Sequence, residues 1–224
     1  MPARCLLYYI TDRTAFAGDE SERRARLFEK IAEAARAGID IQLREKDISP
    51  RELERLAREA VTAVRESRKL PSDPRPPNPA LLINSRADMA IAVGADGVHL
   101  RSDDVSPKDV RSIWKQCGAG TPAREPVIGV SCHSLEDVNR AAAAGANFAV
   151  FAPVFEKKDA PGTKPTGLSL LKEACRASIP VLALGGINLK NAQACLEVGA
   201  AGIAAIRLFQ ENDVASIVRQ LRSL

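Results

Sequence analysis

Residues 90–104 read AIAVGADGVHLRSDD and contain, within one stretch, the pattern on which the fold depends. The apolar segment ending at Val93 is typical of a helix, and Gly94 stands where the end of a helix favours left-handed backbone angles. The short run Gly97–Leu100 is typical of a buried strand, and it is followed by the polar residues RSDD. A helix, a buried strand and a polar tip in this order indicate one unit of an α/β fold.

The same unit recurs along the chain, with comparable glycine turns at Gly38, Gly145 and Gly199. Strands that alternate with helices, as the periodicity of 21–37 and 53–67 suggests, predict a parallel sheet. The apolar runs that end in polar or glycine-rich tips are 6–11, 39–43, 80–84, 97–100, 127–131, 148–151, 181–184 and 202–206. Eight units favour a closed (β/α)8 TIM barrel over an open doubly wound sheet, and residues 1–224 are expected to form one domain.

The composition of the chain argues against nucleic acid and membranes as partners. The formal net charge is only +4, aromatic residues make up 4% of the chain, and no basic stripe is visible, so we expect no nucleic acid partner. No apolar run reaches the roughly 20 residues of a membrane helix, and the start of the chain lacks a signal-peptide pattern. The mild excess of cations is compatible with small phosphorylated substrates.

Cysteine usage predicts the compartment. The five cysteines are odd in number, scattered and without a CxxC pair, which argues against a disulfide framework and against a zinc site. We therefore expect a reducing, cytoplasmic environment. Cys132 is interpreted as a small packing residue, because no oriented base is recognisable beside it.

A glycine pair suggests where a phosphate binds. Gly185 and Gly186 follow the seventh apolar run and precede a helix expected to begin near Leu189. Glycines allow backbone amides to approach an anion, and barrels often hold phosphate after strands seven and eight. Gly167, where another helix begins, offers a second amide, and Arg207 offers a guanidinium. The alternatives are a tight turn that requires glycine and a surface arginine.

The densest polar cluster is QLREK at 42–46. Gln42 and Arg44 share one face of a strand while Leu43 takes the other. One interpretation is a structural ion pair between Arg44 and Glu45 at the barrel mouth. The other is that Arg44 and Lys46 neutralise a diphosphate, and the clustering of cations at a strand end favours it.

Acidic residues and histidines supply further candidates. Asp103 and Asp104 follow the fourth apolar run, and Asn84 ends the third. Oxygen ligands of this kind suit Mg²⁺. For the two aspartates, capping of the next helix is an equal alternative. His99 is expected to be a satisfied interior residue. His133 lies beyond the fifth run, where an imidazole can titrate near neutrality and shuttle a proton.

Taken together, these tips resemble the thiamine phosphate synthase and thiazole tautomerase superfamily of barrels, over essentially the whole chain. The motifs in register are Ile10-Thr11-Asp12, Gln42-Leu43-Arg44-Glu45-Lys46, Ile83-Asn84, Gly94-Ala95-Asp96-Gly97-Val98-His99-Leu100, Gly129-Val130-Ser131 with His133-Ser134-Leu135-Glu136, and Ala183-Leu184-Gly185-Gly186-Ile187. The resemblance implies one of two activities. A synthase joins an aminopyrimidine diphosphate to thiazole phosphate and releases pyrophosphate with Mg²⁺, whereas a tautomerase moves a double bond in the thiazole phosphate by acid–base chemistry.

The resemblance also implies a role for each matching residue. The residues implied to surround the pyrimidine diphosphate and the metal are Gln42, Arg44, Lys46, Asn84 and Asp104. Those implied to hold the thiazole phosphate are Gly167, Gly185, Gly186 and the backbone of Ile206 and Arg207. Ser131 is implied to lie near the reacting centre.

Several positions depart from the synthase pattern. Ser85 stands where synthases usually have an aspartate, Arg207 stands in place of a serine, and residues 155–159 lack the usual threonines. The missing carboxylate, the pair Phe155-Glu156 and the run around His133 favour the tautomerase, with His133 as proton shuttle. The intact 42–46 cluster and Asp104 favour the synthase, which is our leading hypothesis. The third hypothesis is a non-catalytic sensor that binds thiazole phosphate or thiamine phosphate. For the assembly of the protein, a homo-oligomer is considered.

Overall fold

Eight strands alternate with helices from Leu6 onward in a computed structural model that describes residues 5–69, 78–117, 125–156 and 162–224. The strands are β1 Leu6–Ile10, β2 Asp40–Leu43, β3 Leu81–Asn84, β4 Gly97–Leu100, β5 Val127–Cys132, β6 Phe148–Phe151, β7 Val181–Ala183 and β8 Gly202–Ala205. The helices are α1 Glu20–Arg36, α2 Pro50–Lys69, α3 Ala87–Val93, α4 Pro107–Cys117, α5 Leu135–Ala143, α6 Gly167–Ala174, α7 Ala192–Glu197, α8 Arg207–Gln210 and α9 Val214–Arg222. A short 3₁₀ turn, Arg13–Ala15, follows β1.

All neighbouring strands pair in parallel, and β8 pairs with β1, so the sheet closes into a barrel. This confirms the predicted (β/α)8 architecture. Closure leaves no unpaired strand edge, and it directs the carboxyl ends of all eight strands to one rim, here called the mouth.

Strand register divides the side chains into two packed layers. The row containing Tyr8 and Gln42 points into the barrel, where apolar side chains from β1, β3, β6, β7 and β8 form a small interior cluster. The opposite row, which includes Tyr9, packs against the helices in the larger core. The interior is crowded: a Cβ on Gly129 would lie 2.5 Å from the Phe148 ring, so this position requires glycine.

The glycine that follows α3 has the predicted conformation, whereas the predicted start of α7 is wrong. Gly94 has φ 66° beyond α3, in the left-handed region. The helix expected near Leu189 begins instead at Ala192. Asn191 Oδ1 accepts from the Asn188 amide at 2.8 Å, and Asn188 Oδ1 accepts from the Lys190 amide at 2.9 Å. Side chains that bond the nearby backbone in this way compete with helix formation and delay α7.

No helix within the described ranges is long and apolar enough to cross a membrane. All five cysteines are free thiols. Burial raises the pKa of the Cys132 thiol to about 12, so it stays protonated and acts as the packing residue expected from the sequence.

Asp40, at the start of β2, gives a test of the fold. Burial raises the pKa of its carboxyl to about 6, although the Ala80 amide donates to Oδ1 at 2.7 Å. At pH 8 the carboxyl is ionised in both the folded and unfolded states, and the folded state bears the cost of the buried charge. Asp40→Asn keeps an acceptor for Ala80, so we expect it to raise the free energy of unfolding by about 1–2 kcal/mol at pH 8.

Because the folded wild-type protein takes up a proton as the pH falls through 6, this gain should shrink and be nearly absent at pH 4. Denaturant unfolding of both proteins at the two pH values measures it. Asp88→Asn is the matched control, since Arg86 lowers the pKa of that exposed carboxyl, and it should cause a small loss at pH 8. A gain for Asp40→Asn that is the same at both pH values would contradict the assignment.

Candidate active site

Polar side chains lie at the mouth at the ends of three strands, β2, β3 and β5; we call Gln42, Arg44, Asn84 and Ser131 the polar arc. Gln42 is 2% exposed and its Nε2 donates to Asn84 Oδ1 at 2.7 Å. Gln42 Oε1 is buried without a hydrogen-bond partner among the described residues. A buried acceptor of this kind is costly unless a ligand or water satisfies it, so Gln42 is suited to receive a donor from a substrate.

Arg44 supplies positive charge to the polar arc. Its backbone amide donates to Thr11 Oγ1 at 2.9 Å, which fixes the start of the loop after β2. Its half-buried guanidinium forms no hydrogen bond or ion pair with any residue that the structure describes. Lys46 follows two residues later and is exposed. Both cations are therefore placed at the strand end where the sequence predicted anion binding.

Glu45 has a different partner from the one considered above. Its carboxylate accepts from Thr11 Oγ1 at 2.6 Å and from the Arg13 backbone amide at 3.0 Å. Arg13, whose side chain is 4% exposed, lies 3.3 Å from Glu45 Oε2 and 2.5 Å from Asp47 Oδ1. The proposed Arg44–Glu45 ion pair is wrong, because the buried carboxylate is already neutralised by Arg13.

The second half of the mouth is formed by the loops after β6, β7 and β8, and we call Gly167, Gly185, Gly186 and Arg207 the glycine arc. Gly185 and Gly186 have φ 100° and 64°, and a Cβ on Gly186 would lie 2.5 Å from the Glu156 carbonyl oxygen. Their amides donate to no residue in the described ranges, so they remain open to an anion. The turn is held from behind by Asn191 Nδ2, which donates to the Gly186 carbonyl at 2.9 Å.

Gly167 differs from the sequence-based interpretation, whereas the role of Arg207 stays a prediction. The Gly167 amide donates to the Val154 carbonyl at 3.1 Å, so it is already engaged; only the open space next to Gly167 favours a ligand there. Arg207 is half-buried and lies 3.7 Å from Glu211 Oε1, one turn along α8. Ile206 precedes α8 at the rim of the barrel.

Asp104 is held by its own loop. Its Oδ2 accepts from the Arg101 amide at 2.8 Å, whereas Ser106 Oγ accepts from the Asp109 amide at the start of α4. Capping of α4 therefore falls to Ser106 and not to the two aspartates. Asp103 pairs with Arg101. Asp104 also lines a cavity of about 260 Å³ between α4 and α5, which the polar arc does not reach.

The donor set for a metal is small. Within the described residues no group of three or more His, Cys, Asp or Glu side chains converges. Asp104 and the amide of Asn84 remain as the oxygen donors that the sequence proposed, and Ser85 occupies the position of the second carboxylate. Such a set fits Mg²⁺ only when substrate phosphates and water complete the coordination, which is a common arrangement for this ion.

The two histidines differ sharply in environment. His99 is 1% exposed, and both ring nitrogens have partners, Tyr8 Oη at 3.1 Å and Ser131 Oγ at 2.8 Å, which confirms a satisfied interior residue. His133 is exposed, and its Nδ1 donates to the Ala152 carbonyl at 2.7 Å. Its Nε2 has no partner among the described residues and is the end available for proton transfer.

Sequence reasoning missed the roles of Arg13 and Tyr8. Arg13 pairs with Glu45 beside Arg44, and Tyr8 contacts His99, which in turn contacts Ser131 of the polar arc. The only signal for Tyr8 is the period-two row that it shares with Ile10 and Gln42. Residues 157–161 lie outside the described residues, so the departure at 155–159 is described only for Phe155 and Glu156.

Fold and mouth together define a (β/α)8-barrel protein with cationic side chains and a glycine turn at the carboxyl ends of its strands. A likeness to 3-hexulose-6-phosphate synthase, with TM-score 0.62 and 18% identity over 98% of each chain, shows this fold alone. More specifically, the chain belongs to the thiamine monophosphate synthase family, whose profile matches residues 7–209.

Relatives of higher identity agree with this assignment. The chain is 34% identical to a thiamine-phosphate synthase of Syntrophomonas wolfei, over 97% of this chain and 95% of the relative. It is 36% identical to that of Clostridium novyi, over 92% and 91% of the two chains. A solved structure, the thiamine phosphate pyrophosphorylase from Pyrococcus furiosus, superposes with TM-score 0.74 at 29% identity, covering 99% of this chain and 95% of the other.

The Arg13–Glu45 pair yields a prediction about stability. Arg13→Met keeps much of the side-chain volume but leaves the Glu45 carboxylate buried without its cation, so the free energy of unfolding should fall by about 3–5 kcal/mol. Asp47→Asn is the control, because the Asp47 side chain is 51% exposed and its loss should cost less than about 1 kcal/mol. Urea unfolding at pH 7 measures both. Equal effects of the two substitutions would show that the buried pair is not the stabilising element.

Proposed function

We propose that this chain is a thiamine phosphate synthase, a transferase that joins 4-amino-2-methyl-5-hydroxymethylpyrimidine diphosphate to thiazole phosphate and releases pyrophosphate. The observation that supports it most is the division of one mouth into two anion-binding halves. Arg44 of the polar arc and the nearby Lys46 supply positive charge after β2, and the glycine arc offers, after β7, backbone amides that donate to no described residue. Two phosphorylated substrates that must meet end to end require such a pair of halves.

Charge stabilisation is the main demand of this reaction. The C–O bond to the diphosphate breaks, the pyrimidine carries the resulting positive charge, and the thiazole nitrogen then forms the new C–N bond. Arg44 and Lys46 are placed to balance the negative charge that develops on the leaving diphosphate. Gln42 and Asn84 orient the pyrimidine through amide hydrogen bonds, and the glycine arc holds the second substrate in contact.

Mg²⁺ is part of the proposal. Asp104 would hold it together with the oxygens of the diphosphate and water, and when bound it would neutralise charge on the leaving group. With a single carboxylate from the protein, binding of the ion should depend strongly on the diphosphate. We also place the enzyme in the cytoplasm, because a protein with five free thiols suits a reducing compartment.

Thiazole tautomerase remains the second candidate because of one observation. The Nδ1–H of His133 is fixed on the Ala152 carbonyl, which leaves Nε2 as an exposed proton acceptor at the rim of the barrel. A positioned imidazole of this kind is what a double-bond shift next to a heterocyclic nitrogen requires. The synthase reaction has no need of this base.

The two functions are separated by one assay series. With both substrates and Mg²⁺, the wild-type protein should release pyrophosphate and form thiamine phosphate, and a chelator should abolish the release. Lys46→Ala should lower the rate at least about 100-fold, because a cation on the leaving group is lost. His133→Ala should retain the rate within about twofold.

The outcome that would reverse the assignment is equally specific. If the wild-type protein binds thiazole phosphate without releasing pyrophosphate, and His133→Ala abolishes thiazole isomerisation while Lys46→Ala does not, the tautomerase is correct. Binding without either turnover would favour the sensor.

Gly186 tests the site of the thiazole phosphate. Gly186→Ala places a methyl group 2.5 Å from the Glu156 carbonyl and should displace the amides after β7. We expect the KM for thiazole phosphate to rise at least about tenfold, with the KM for the pyrimidine diphosphate changed less than threefold.

Gly162→Ala is the matched control, because Gly162 also has a positive φ, 97°, but its Cβ would have no atom of a described residue within 4 Å. Steady-state kinetics with each substrate varied in turn provides the measurement. A parallel rise in both KM values would indicate general distortion of the mouth, and not a phosphate site in the glycine arc.

A further inference from the structure

Tyr8, His99 and Ser131 form a line of hydrogen bonds that runs from inside the barrel to the mouth. Tyr8 Oη lies 3.1 Å from His99 Nδ1, and His99 Nε2 lies 2.8 Å from Ser131 Oγ. Tyr8 and His99 are each 1% exposed, whereas Ser131 is half-buried at the end of β5. The line therefore connects a sealed interior with the polar arc.

The chemistry of the three groups fixes the direction of both bonds. Tyr8 Oη has no other hydrogen-bond partner in the described part of the chain, so its hydrogen can go only to His99 Nδ1. Nδ1 is then the acceptor nitrogen, and the neutral imidazole carries its hydrogen on Nε2. That hydrogen is donated to Ser131 Oγ.

The opposite direction leaves a buried group unsatisfied. If Nδ1 carried the hydrogen, it would donate to Tyr8 Oη, and the Tyr8 hydrogen would have no acceptor among the described residues. An unmade hydrogen bond of a buried hydroxyl is costly, so this tautomer is disfavoured. In that tautomer Ser131 would donate its hydroxyl hydrogen to His99 Nε2 and would have no hydrogen left to donate to a ligand at the mouth.

Packing holds the ring in this orientation. A Cβ on Gly129 would lie 2.7 Å from His99 Nδ1 and 2.5 Å from the Phe148 ring, so glycine leaves just the space that the imidazole occupies. The Tyr8 and His99 rings stack with centroids 5.6 Å apart, and Phe148 meets Tyr8 edge-on at 5.1 Å. The imidazole cannot reorient without displacing an aromatic neighbour.

Protonation supports the same arrangement. Burial, with a contribution from Arg44, lowers the pKa of His99 to about 3, and burial raises the pKa of Tyr8 well above its usual value. Both groups are neutral throughout the working range of an enzyme, so the line does not transfer protons. It only fixes where the hydrogens lie.

We propose that Tyr8 and His99 are positioning residues that make the Ser131 hydroxyl an obligate hydrogen-bond donor toward the oxygen of the departing diphosphate. Ser131 Oγ accepts from His99, and its own hydrogen has no partner among the described residues and is free for the mouth. This inference rests on the proposed synthase function for the identity of the acceptor. The direction of the hydrogen bonds does not depend on it.

The tautomers are directly measurable, because the chain has only two histidines. In the ¹⁵N spectrum of histidine-labelled protein, His99 should have its hydrogen on Nε2, whereas neutral His133, which donates from Nδ1 to Ala152, should show the opposite tautomer. His133→Gln assigns the signals. A hydrogen on Nδ1 of His99 in the wild-type protein would overturn the proposal.

Kinetics test the consequence for Ser131. Tyr8→Phe removes only the hydroxyl, so Nδ1 loses its donor and the tautomer is no longer fixed; kcat should fall about five- to tenfold with little change in KM. Tyr9→Phe is the matched control, because Tyr9 faces the helix layer and its hydroxyl has no partner among the described residues. That variant should keep the wild-type kcat and the wild-type tautomers.

A double-mutant cycle shows whether Tyr8 acts through Ser131. Ser131→Ala alone should lower kcat about 100-fold, and Tyr8→Phe should cause no further loss in that background. An additional five- to tenfold loss, or an unchanged kcat and spectrum in Tyr8→Phe, would overturn the positioning role. Failure of the wild-type protein to release pyrophosphate would instead refute the proposed function, while the spectrum would still decide the direction of the hydrogen bonds.

Discussion

The buried carboxylate of Glu45 constrains the active end of this barrel more than any other single group. A charge removed from water must be paired, and the partners that satisfy it, Thr11 and Arg13, come from the neighbouring strand and its loop. The ends of β1 and β2 are thereby joined at the mouth. Because Thr11 also holds the Arg44 amide, the same contacts determine where the guanidinium stands. Because Glu45 is paired with Arg13, the Arg44 guanidinium has no carboxylate partner among the described residues.

In the proposed function, the two halves of the mouth bind anions by different means. The polar arc uses side-chain charge, which a ligand can draw toward itself, whereas the glycine arc uses backbone amides held in place by backbone angles and by Asn191. Side chains adapt to a group whose charge changes during the reaction, and fixed amides suit a phosphate that only needs to be held. This division agrees with a reaction in which one phosphorylated substrate loses its leaving group and the other does not.

Local patterns allowed most of the architecture to be predicted from sequence. Every strand lies within one residue of its apolar run, since apolar runs and polar tips are properties of adjacent residues. The predicted start of α7 is wrong because the side chains of Asn188 and Asn191 accept hydrogen bonds from backbone amides just before the helix. Contacts between residues far apart in the chain could not be predicted from local patterns. Tyr8 and Tyr9 are adjacent tyrosines, and only the closed barrel shows that Tyr8 points inward and Tyr9 toward the helices. The partner of Glu45 was missed for the same reason.

Ser85 has φ 56°, a backbone angle that serine adopts less readily than asparagine or aspartate. It stands beside Asn84 at the end of β3, where the resemblance to synthases leads one to expect a carboxylate. The main chain at this position therefore already has the conformation that an aspartate would favour. An aspartate at position 85 would therefore fit the backbone of this loop as it stands, so the carboxylate is missing because of the side chain and not because of the fold.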